Sequence, residues 1–497
     1  MMKTLTRSIL DLTRSSKNAV SIQCGRRFIG SIKATNLDNA LLVYGEIPNK
    51  SYLQVRGPDT IGFLNGLVTS KLLPTFVKKN LTTIEVSDEK NKKDTNNNES
   101  PEFNEKKGNW GIYNAESHNG PYLSRFGIYS AFLNGKGKLV TDSIIYPSPG
   151  VVNDQTEAKI KLYPEYLLEF DKDIIPRMLT SFESHKLHNK IKFEEVNNTK
   201  TWDFFISFPG LTQNDPNPWI DNVYVPLTYL KNAEASNEFA ESFITSLFPK
   251  ISNKILGFYI ERRTETLLNN DGTAPQFFRI VTTEDVDNAF DAFNSEAFPF
   301  TFAKLEKDSS FFKQCKLQYG FLDGSDAIQP DSLMPLELNF DYFPNTVSNN
   351  KGCYVGQELT ARTYSTGILR KRLIPIEFEN LSEQAVKLLN ECDKYPDIEV
   401  EVDPKNQEPE PLQSTAPSPF GNSPFGNAST KLRQRKKAAG TLISFDGKYG
   451  IALFRIEHFK NIYDTPTPSK FFLTIGQEKI DVTPQRPIWY NEWKSSQ

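Results

Sequence analysis

The stretch Lys351-Gly352-Cys353-Tyr354-Val355-Gly356-Gln357-Glu358-Leu359-Thr360-Ala361-Arg362 places one of the chain's four cysteines between two glycines. Asparagines and prolines before it predict irregular chain, and a loose helical spacing of apolar residues follows it. We therefore expect a loop that turns at Gly352 and enters a helix near Cys353. The positive end of the helix dipole, together with Lys351, would favour the thiolate form of this cysteine.

Two local features of the stretch bear on its role. Glu358 and Arg362 are four residues apart, so they share one face of the predicted helix and can pair. A lone cysteine, however, is most often a small buried hydrophobic residue. The physical chemistry of the stretch therefore leaves open whether Cys353 is a functional or a structural thiol.

The run from Lys351 to Glu358 resembles the K-G-C-[YF]-x-G-Q-E signature of the YgfZ-type family, relatives of the glycine-cleavage T-protein that serve iron–sulfur cluster biogenesis. The segment Pro335-Leu336-Glu337-Leu338-Asn339 and the pair Ala439–Leu442 and Tyr449–Arg455 resemble further segments of that family. The resemblance implies an α+β, T-protein-like multi-domain fold with antiparallel sheets around a central cavity, plus a C-terminal β-barrel.

The function that this resemblance implies is assembly of iron–sulfur proteins. We expect a mitochondrial matrix factor that matures 4Fe–4S enzymes of the aconitase and lipoyl synthase types and acts with A-type scaffold proteins. The 4Fe–4S apo-proteins are further candidate partners. Clusters are usually held by four thiolates, so Cys353 alone would bind an iron–sulfur cluster only transiently, shared with a partner, or act as a redox or sulfur-handling thiol. The residues expected to support it are Lys351, Gly352, Tyr354, Gly356, Gln357, Glu358 and Arg362.

The same resemblance implies a cavity that holds a folate in relatives. Tetrahydrofolate is therefore a possible cofactor, and Asp142 and Glu337 are the polar groups expected near it. The T-protein uses an acidic pair after its first hairpin, whereas Val140-Thr141-Asp142-Ser143 offers one acid. Lys316 and Gln318 replace the Arg and Glu of the family's R-x-E-x-G-x-P element.

Two other functions stay open on this basis. A tetrahydrofolate-dependent one-carbon transferase of the aminomethyl type is the main alternative, and a purely interacting protein with a structural motif is a third. We expect a transferase-like fold without classical turnover.

Composition excludes several other functions. The net charge is −3, whereas nucleic-acid binding usually leaves a basic footprint. The four cysteines form no CxxC pair and no zinc-like spacing with the four histidines. The chain has no apolar run of about 18 residues, which argues against a membrane span.

The first 35 residues carry seven basic side chains against the single acid Asp11, which is typical of a mitochondrial transit peptide. A basic arm without a targeting role is the alternative. We expect three further parts: a T-protein-like domain over 36–240, a second α+β domain over 241–368 with the cysteine motif, and the barrel over 369–497. The polar stretch 85–109 and the Pro-rich stretch 403–437 are predicted to be disordered insertions.

Alternation of apolar residues and turn residues predicts the elements. Helices are expected after Asp59 and Asp173 and over 234–248, 285–300 and 309–319, whereas 264–285 fits no pattern. The predicted strands are 40–44, 51–55, 123–132, 139–146, 162–170, 191–196, 202–208, 255–260, 370–378, 440–444, 450–456, 471–475 and 478–482.

Overall fold

The computed structural model describes residues 40–72, 112–114, 122–147, 164–208, 211, 215, 217–230, 233–265, 274–297, 302–324, 329–349, 351–392, 394, 396–401, 438–466 and 469–496. The predicted transit peptide (1–35) and the two predicted insertions (85–109 and 403–437) lie outside these residues. The domain limits proposed from the sequence stay predictions.

The strands form two five-stranded sheets, a closed barrel and a short ribbon. In chain order they are β1 (Ala40–Glu46), β2 (Lys50–Arg56), β3 (Ile112–Asn114), β4 (Tyr122–Ser124), β5 (Ile128–Leu133), β6 (Leu139–Pro147), β7 (Glu165–Asp171), β8 (Lys192–Val196), β9 (Thr199–Ser207), β10 (Ile255–Ile260), β11 (Gln276–Thr283), β12 (Phe302–Glu306), β13 (Lys371–Glu379), β14 (Asp397–Val400), β15 (Gly440–Asp446), β16 (Tyr449–Arg455), β17 (Phe471–Ile475) and β18 (Glu478–Pro484).

The helices lie between and beside these strands. They are α1 (Thr60–Asn65), α2 (Ile175–Lys186), α3 (Val225–Tyr229), α4 (Ala233–Leu247), α5 (Ser309–Tyr319), α6 (Gln357–Thr366), α7 (Glu383–Glu391), α8 (Phe459–Tyr463) and α9 (Tyr490–Ser495). Among the described residues, no helix is long and apolar enough to cross a membrane.

Sheet 1 has the strand order β10-β11-β9-β1-β12. Its pairs are antiparallel except β1–β12, in which Val43 lies opposite Leu305 in parallel register. Sheet 2 is antiparallel throughout, with the order β5-β6-β7-β2-β8. The two sheets meet where the N–H of Gly127 donates to the carbonyl of Phe258 (2.8 Å).

The barrel closes in the order β13-β16-β15-β14-β17-β18. Helix α5 lies between the barrel and sheet 1, where its Phe311 ring packs against Phe205 of β9. Ser310 and Gln314 of α5 donate hydrogen bonds to Asp446 at the turn between β15 and β16 (2.7 and 2.8 Å). The α+β class, the antiparallel sheets and the C-terminal barrel predicted above are confirmed, with β1–β12 as a parallel exception.

The helix predicted over 285–300 is wrong for residues 285–297, the part of it that the structure describes. The chain instead makes two short 3-10 turns, Ala289–Ala292 and Ser295–Ala297. The side chain of Asn288 accepts the N–H of Phe290 and so starts the first turn, because asparagine side chains compete with the helix for backbone groups. The preceding stretch, which fitted no pattern, contains β11, a strand between β10 and β9 in sheet 1.

Candidate functional site

The loop that carries Cys353 is docked on the segment Gly66–Ser70, which follows α1. The N–H of Val355 donates to the carbonyl of Gly66 (3.0 Å), and the N–H of Ser348 donates to the carbonyl of Thr69 (3.0 Å). The Thr69 hydroxyl returns a hydrogen bond to the carbonyl of Thr346 (2.7 Å). A loop from the C-terminal half of the chain is thereby fixed to the edge of sheet 2. We call residues 346–356 the thiol loop.

Lys351 reaches the same segment with its side chain. Its Nζ donates to the carbonyls of Val68 (2.5 Å) and Ser70 (2.8 Å), and it lies 4.6 Å from the ring centre of Tyr354. Burial lowers the pKa of this amino group to about 7, because desolvation disfavours the charged form. The amino group that we expected to act on the thiol is therefore held by backbone carbonyls.

The helix after the cysteine begins later than predicted. Gly356, with φ of 78°, occupies the N-cap, and α6 starts at Gln357. The expected turn at Gly352 and helix entry near Cys353 were therefore wrong by about one turn of helix. The left-handed conformation at Gly356 is why glycine stands there. The side chain of Gln357 reaches back and accepts the N–H of Tyr354 (3.1 Å).

Tyr354 is buried beneath the loop, whereas Glu358 and Arg362 are exposed on α6. The predicted pair between Glu358 and Arg362 is not among the ion pairs of the described residues. These two side chains therefore face solvent beside the thiol loop.

The cysteines differ in exposure. Cys353 is exposed, Cys392 is half-buried, and Cys315, on α5, is buried in the core. Cys24 lies outside the described residues. No group of three or more His, Cys, Asp or Glu side chains in the described residues is placed to hold a metal ion. Within the part of the chain that the structure describes, Cys353 is therefore a solvent-facing thiol outside any such group.

A cavity of about 320 Å³ lies between the β1–β2 turn, α5 and the β15–β16 turn. Its apolar wall is formed by Ile47, Phe312, Leu317, Phe321 and Leu322. Its polar wall is formed by Asn49, Lys50, Asp171, Asp203, Arg279, Ser309, Ser310, Lys313, Lys316, Asp323 and Asp446. Cys353 does not line this cavity.

Six of the charged side chains on the polar wall form ion pairs with one another. Arg279 binds Asp203 with both its Nε and its Nη2 (2.5 and 2.7 Å). Lys316 bridges Asp203 and Asp323 (3.0 and 2.6 Å), and Lys50 binds Asp171 (2.5 Å). Burial opposes ionisation of Asp203, but Arg279 and Lys316 hold its pKa at about 2. The lysine that replaces the family's arginine at 316 thus holds two carboxylates together.

Asp142 lies behind this wall, in a smaller cavity that shares Lys50, Asp171, Arg279 and Asp323 with the first. Its carboxylate accepts hydrogen bonds from the Tyr129 hydroxyl (3.0 Å) and from the N–H of Gly324 (3.1 Å to each oxygen). Burial, and next the negative charge of Asp323, raise the pKa of Asp142 to about 6. An acid with this pKa can exchange a proton near neutral pH.

Asp323 is the second acid that the sequence did not reveal. It follows the apolar pair Phe321-Leu322, and only the fold brings it beside Asp142. Arg263, Lys316 and Arg279 overcome the burial of Asp323 and hold its pKa well below its usual range. The pKa values of the two buried acids therefore lie far apart, which is how paired carboxyl groups take different roles.

Glu337 lies outside the residues that line either cavity. Its Oε2 accepts the N–H of Met334 (2.8 Å) and lies 3.8 Å from the Nζ of Lys138. The carboxylate closes a turn of the segment before the thiol loop. Of the two polar groups expected near a ligand, only Asp142 is at the cavity.

Sequence similarity to known proteins shows the family of the chain. It is 99% identical over 497 residues, all of both chains, to the mitochondrial iron–sulfur cluster assembly factor IBA57 homolog of Candida glabrata. It is 45% identical over 465 residues to the mitochondrial iron–sulfur cluster assembly factor IBA57 of Saccharomyces cerevisiae, covering 91% of this chain and 90% of that relative. The chain belongs to this family of mitochondrial iron–sulfur cluster assembly factors.

Two other similarities concern the fold. The C-terminal β-barrel domain of CAF17 matches residues 370–492, which contain the closed barrel. A crystal structure of the glycine cleavage system aminomethyltransferase T from Bartonella henselae is similar with a TM-score of 0.44 and 9% identity, over 91% of this chain and 87% of that chain. The family and the mitochondrial assignment predicted from the sequence are confirmed.

Proposed function

We propose that the chain matures 4Fe–4S proteins of the aconitase and lipoyl synthase types in the mitochondrial matrix, acting with an A-type scaffold protein through Cys353. The observation that carries this proposal is the exposure of Cys353 on a loop fixed to the segment Gly66–Ser70 at both sides of the thiol. The names of the relatives support the general role in iron–sulfur assembly.

The chemistry of one exposed thiol favours a shared cluster. The Cys353 thiol gives its proton to solvent or to a neighbouring base, and the sulfur lone pair then binds an iron atom of the cargo cluster. Iron–sulfur clusters are usually held by four thiolates, so the partner supplies the other ligands. No cluster of candidate ligands accompanies Cys353 in the described residues, which is what a transient, shared site requires.

Anaerobic reconstitution with an A-type scaffold protein tests the proposal. Iron, sulfide and both proteins are combined, and the cluster is followed by visible absorption and Mössbauer spectra. We expect the wild-type mixture to form a cluster whose spectrum differs from that of the scaffold alone. Cys353→Ala should abolish the difference, whereas Cys392→Ala, at another accessible thiol, should keep it. An unchanged mixed spectrum with Cys353→Ala would contradict the proposal.

Tetrahydrofolate-dependent one-carbon transfer is the second candidate, and the cavity beside Asp142 favours it. The cavity volume lies at the lower end of the range of about 300–1,000 Å³ for small-molecule sites. Phe312, Phe321 and Leu322 offer an apolar wall for a flat ring, and Asp323 offers an acceptor for ring N–H groups. These residues fit the pterin end of a reduced folate, which would supply a one-carbon carrier there.

In this second candidate the residues of the chain would have separate tasks. Asp323, kept ionised by Arg263 and Lys316, would accept hydrogen bonds from the ligand. Asp142, with its raised pKa, would hold or release a proton. Because Cys353 does not line the cavity, a folate would act at a distance from the thiol.

A further inference from the structure

Lys351 is a half-buried lysine whose hydrogen-bond partners are backbone carbonyls. Its Nζ donates to the carbonyls of Val68 and Ser70, and its third close neighbour is the ring of Tyr354. Structural lysines are mostly exposed or paired with a carboxylate, and Lys351 has no carboxylate partner among the ion pairs of the described residues. Pairing with a carboxylate therefore does not explain why a long, charged side chain occupies this position.

The two carbonyls lie just past the C-terminal end of α1, on the segment that also accepts the thiol loop. The N–H of Val355 donates to Gly66 on that same segment. Cys353 therefore lies midway between two anchors, the side chain of Lys351 two residues before it and the backbone of Val355 two residues after it. Both anchors donate hydrogen bonds to backbone carbonyls within the five consecutive residues 66–70.

We propose that Lys351 is a positioning residue for Cys353, holding the thiol loop by its amino group on the carbonyls of Val68 and Ser70. This inference rests on the proposed function of the Cys353 thiol. The role uses what lysine has and shorter residues lack: a four-carbon stem that crosses the gap and several N–H donors at its end. A neutral amine still has two N–H groups, one for each carbonyl, so the anchor holds in both protonation states.

Lys351→Met tests the role, since methionine keeps most of the stem and loses the donors. Hydrogen exchange should show the amides of Val355 and Ser348 exchanging at least tenfold faster than in the wild type. Alkylation of Cys353 by iodoacetamide, counted at that residue by mass spectrometry, should change at least threefold in rate. Lys387→Met, on the exposed face of α7, is the control and should change neither quantity.

Unchanged exchange and alkylation in a folded Lys351→Met protein would overturn the inference. If that variant does not fold, Lys351→Arg provides the second measurement, because arginine keeps N–H donors on a long stem. Protection of the Val355 and Ser348 amides within twofold of the wild type in Lys351→Arg supports the anchor. A folded Lys351→Arg protein with both amides unprotected contradicts it.

These measurements need no cluster, so the failure of this inference is distinguishable from failure of the proposed function. Cluster formation by Cys353→Ala would refute the function of the thiol and leave the exchange result in place. If the amides of Lys351→Met exchange as slowly as in the wild type, while Cys353→Ala fails to form the shared cluster, only the anchor is refuted. If both ideas hold, Lys351→Met should form the shared cluster at least fivefold more slowly than the wild type.

Discussion

Gly137, in the β5–β6 hairpin, and Gly356, in the thiol loop, pack directly against each other. A Cβ atom on Gly356 would lie 3.1 Å from the Cα of Gly137 and 2.5 Å from the carbonyl oxygen of Asn134. A Cβ atom on Gly137 would lie 2.9 Å from the carbonyl oxygen of Gly356. Both residues also have positive φ, 76° and 78°. The hairpin is thus the second support of the thiol loop.

Gly356→Ala and Gly137→Ala should each lower the free energy of unfolding by about 2 kcal/mol or more, because each combines a left-handed backbone with a clash against main chain. Chemical denaturation measures the change. Gly135→Ala in the same hairpin is the control, since a Cβ there meets nothing within 4 Å. Equal stability of Gly137→Ala and Gly135→Ala would show that the two loops do not pack as described.

Cys353→Ala should change the free energy of unfolding by less than about 0.5 kcal/mol, because the side chain is exposed. In cells that lack the native protein, it should nevertheless fail to restore aconitase activity, while 2Fe–2S proteins stay normal. Cys315→Ala and Cys392→Ala should restore activity to the extent that they remain folded. A stable Cys353→Ala protein with full aconitase activity would leave the motif with a structural role only.

Asp142→Asn should change how stability depends on pH. The folded-state pKa of Asp142 is about 6, against a usual value of 3.8, so between about pH 4 and pH 6 the folded protein binds more protons than the unfolded chain. The free energy of unfolding contributed by this group therefore falls as pH rises through that window. A shift of this size corresponds to about 3 kcal/mol at most.

The measurement is urea denaturation of the wild type and Asp142→Asn at several pH values from 4 to 7. The free energy of unfolding of Asp142→Asn, relative to that of the wild type, should increase as pH rises. This difference should level off above pH 6. A difference that stays constant with pH would mean that Asp142 titrates as an ordinary surface carboxyl group.

Tetrahydrofolate should bind the cavity weakly or moderately, so that binding is detectable at near-millimolar ligand concentration. Anaerobic calorimetry measures it, with p-aminobenzoylglutamate, which lacks the pterin ring, as the ligand control. Asp323→Asn should weaken binding of tetrahydrofolate at least threefold by removing the charged acceptor. Absence of heat with tetrahydrofolate, or equal heat with the control compound, would exclude a pterin site.

The mature protein should begin between residues 28 and 40, after the basic N-terminal stretch. Cleavage beyond Ala40 would cut into β1, which is buried and paired on both sides. N-terminal sequencing of the protein isolated from mitochondria checks this. An intact Met1 in that preparation would remove the transit-peptide assignment.

Local patterns in the sequence predicted much of this molecule. The run around Cys353 predicted the loop and helix, and the apolar alternation after Arg370 predicted five of the six barrel strands but missed β14. The start of α6 was misplaced because a positive φ can be adopted by either Gly352 or Gly356, and only packing against Gly137 decides between them. Local sequence patterns therefore predicted which helices and strands form more accurately than where each of them begins and ends.

Long-range relationships could not be predicted in this way. Asp142 and Gly324 are 182 residues apart and share a hydrogen bond, and no spacing rule connects them. Lys351 was expected to act on its neighbour Cys353, but its amino group lies on carbonyls more than 280 residues earlier in the chain. The pKa shifts of Asp142 and Lys351 arise from burial by residues that are distant in the sequence. The composition of the chain therefore does not predict them.

The position of β1 has a consequence for how the protein is made. The strand Ala40–Glu46 lies between β9, which begins at Thr199, and β12, which ends at Glu306. A chain that enters its compartment N-terminus first can therefore pair this apolar strand with β9 only after some 160 further residues have arrived, and with β12 only after some 260. Such non-local pairing slows folding and exposes strand edges to aggregation. We expect folding of this protein to depend on chaperones that bind the segment Ala40-Leu41-Leu42-Val43-Tyr44 during entry.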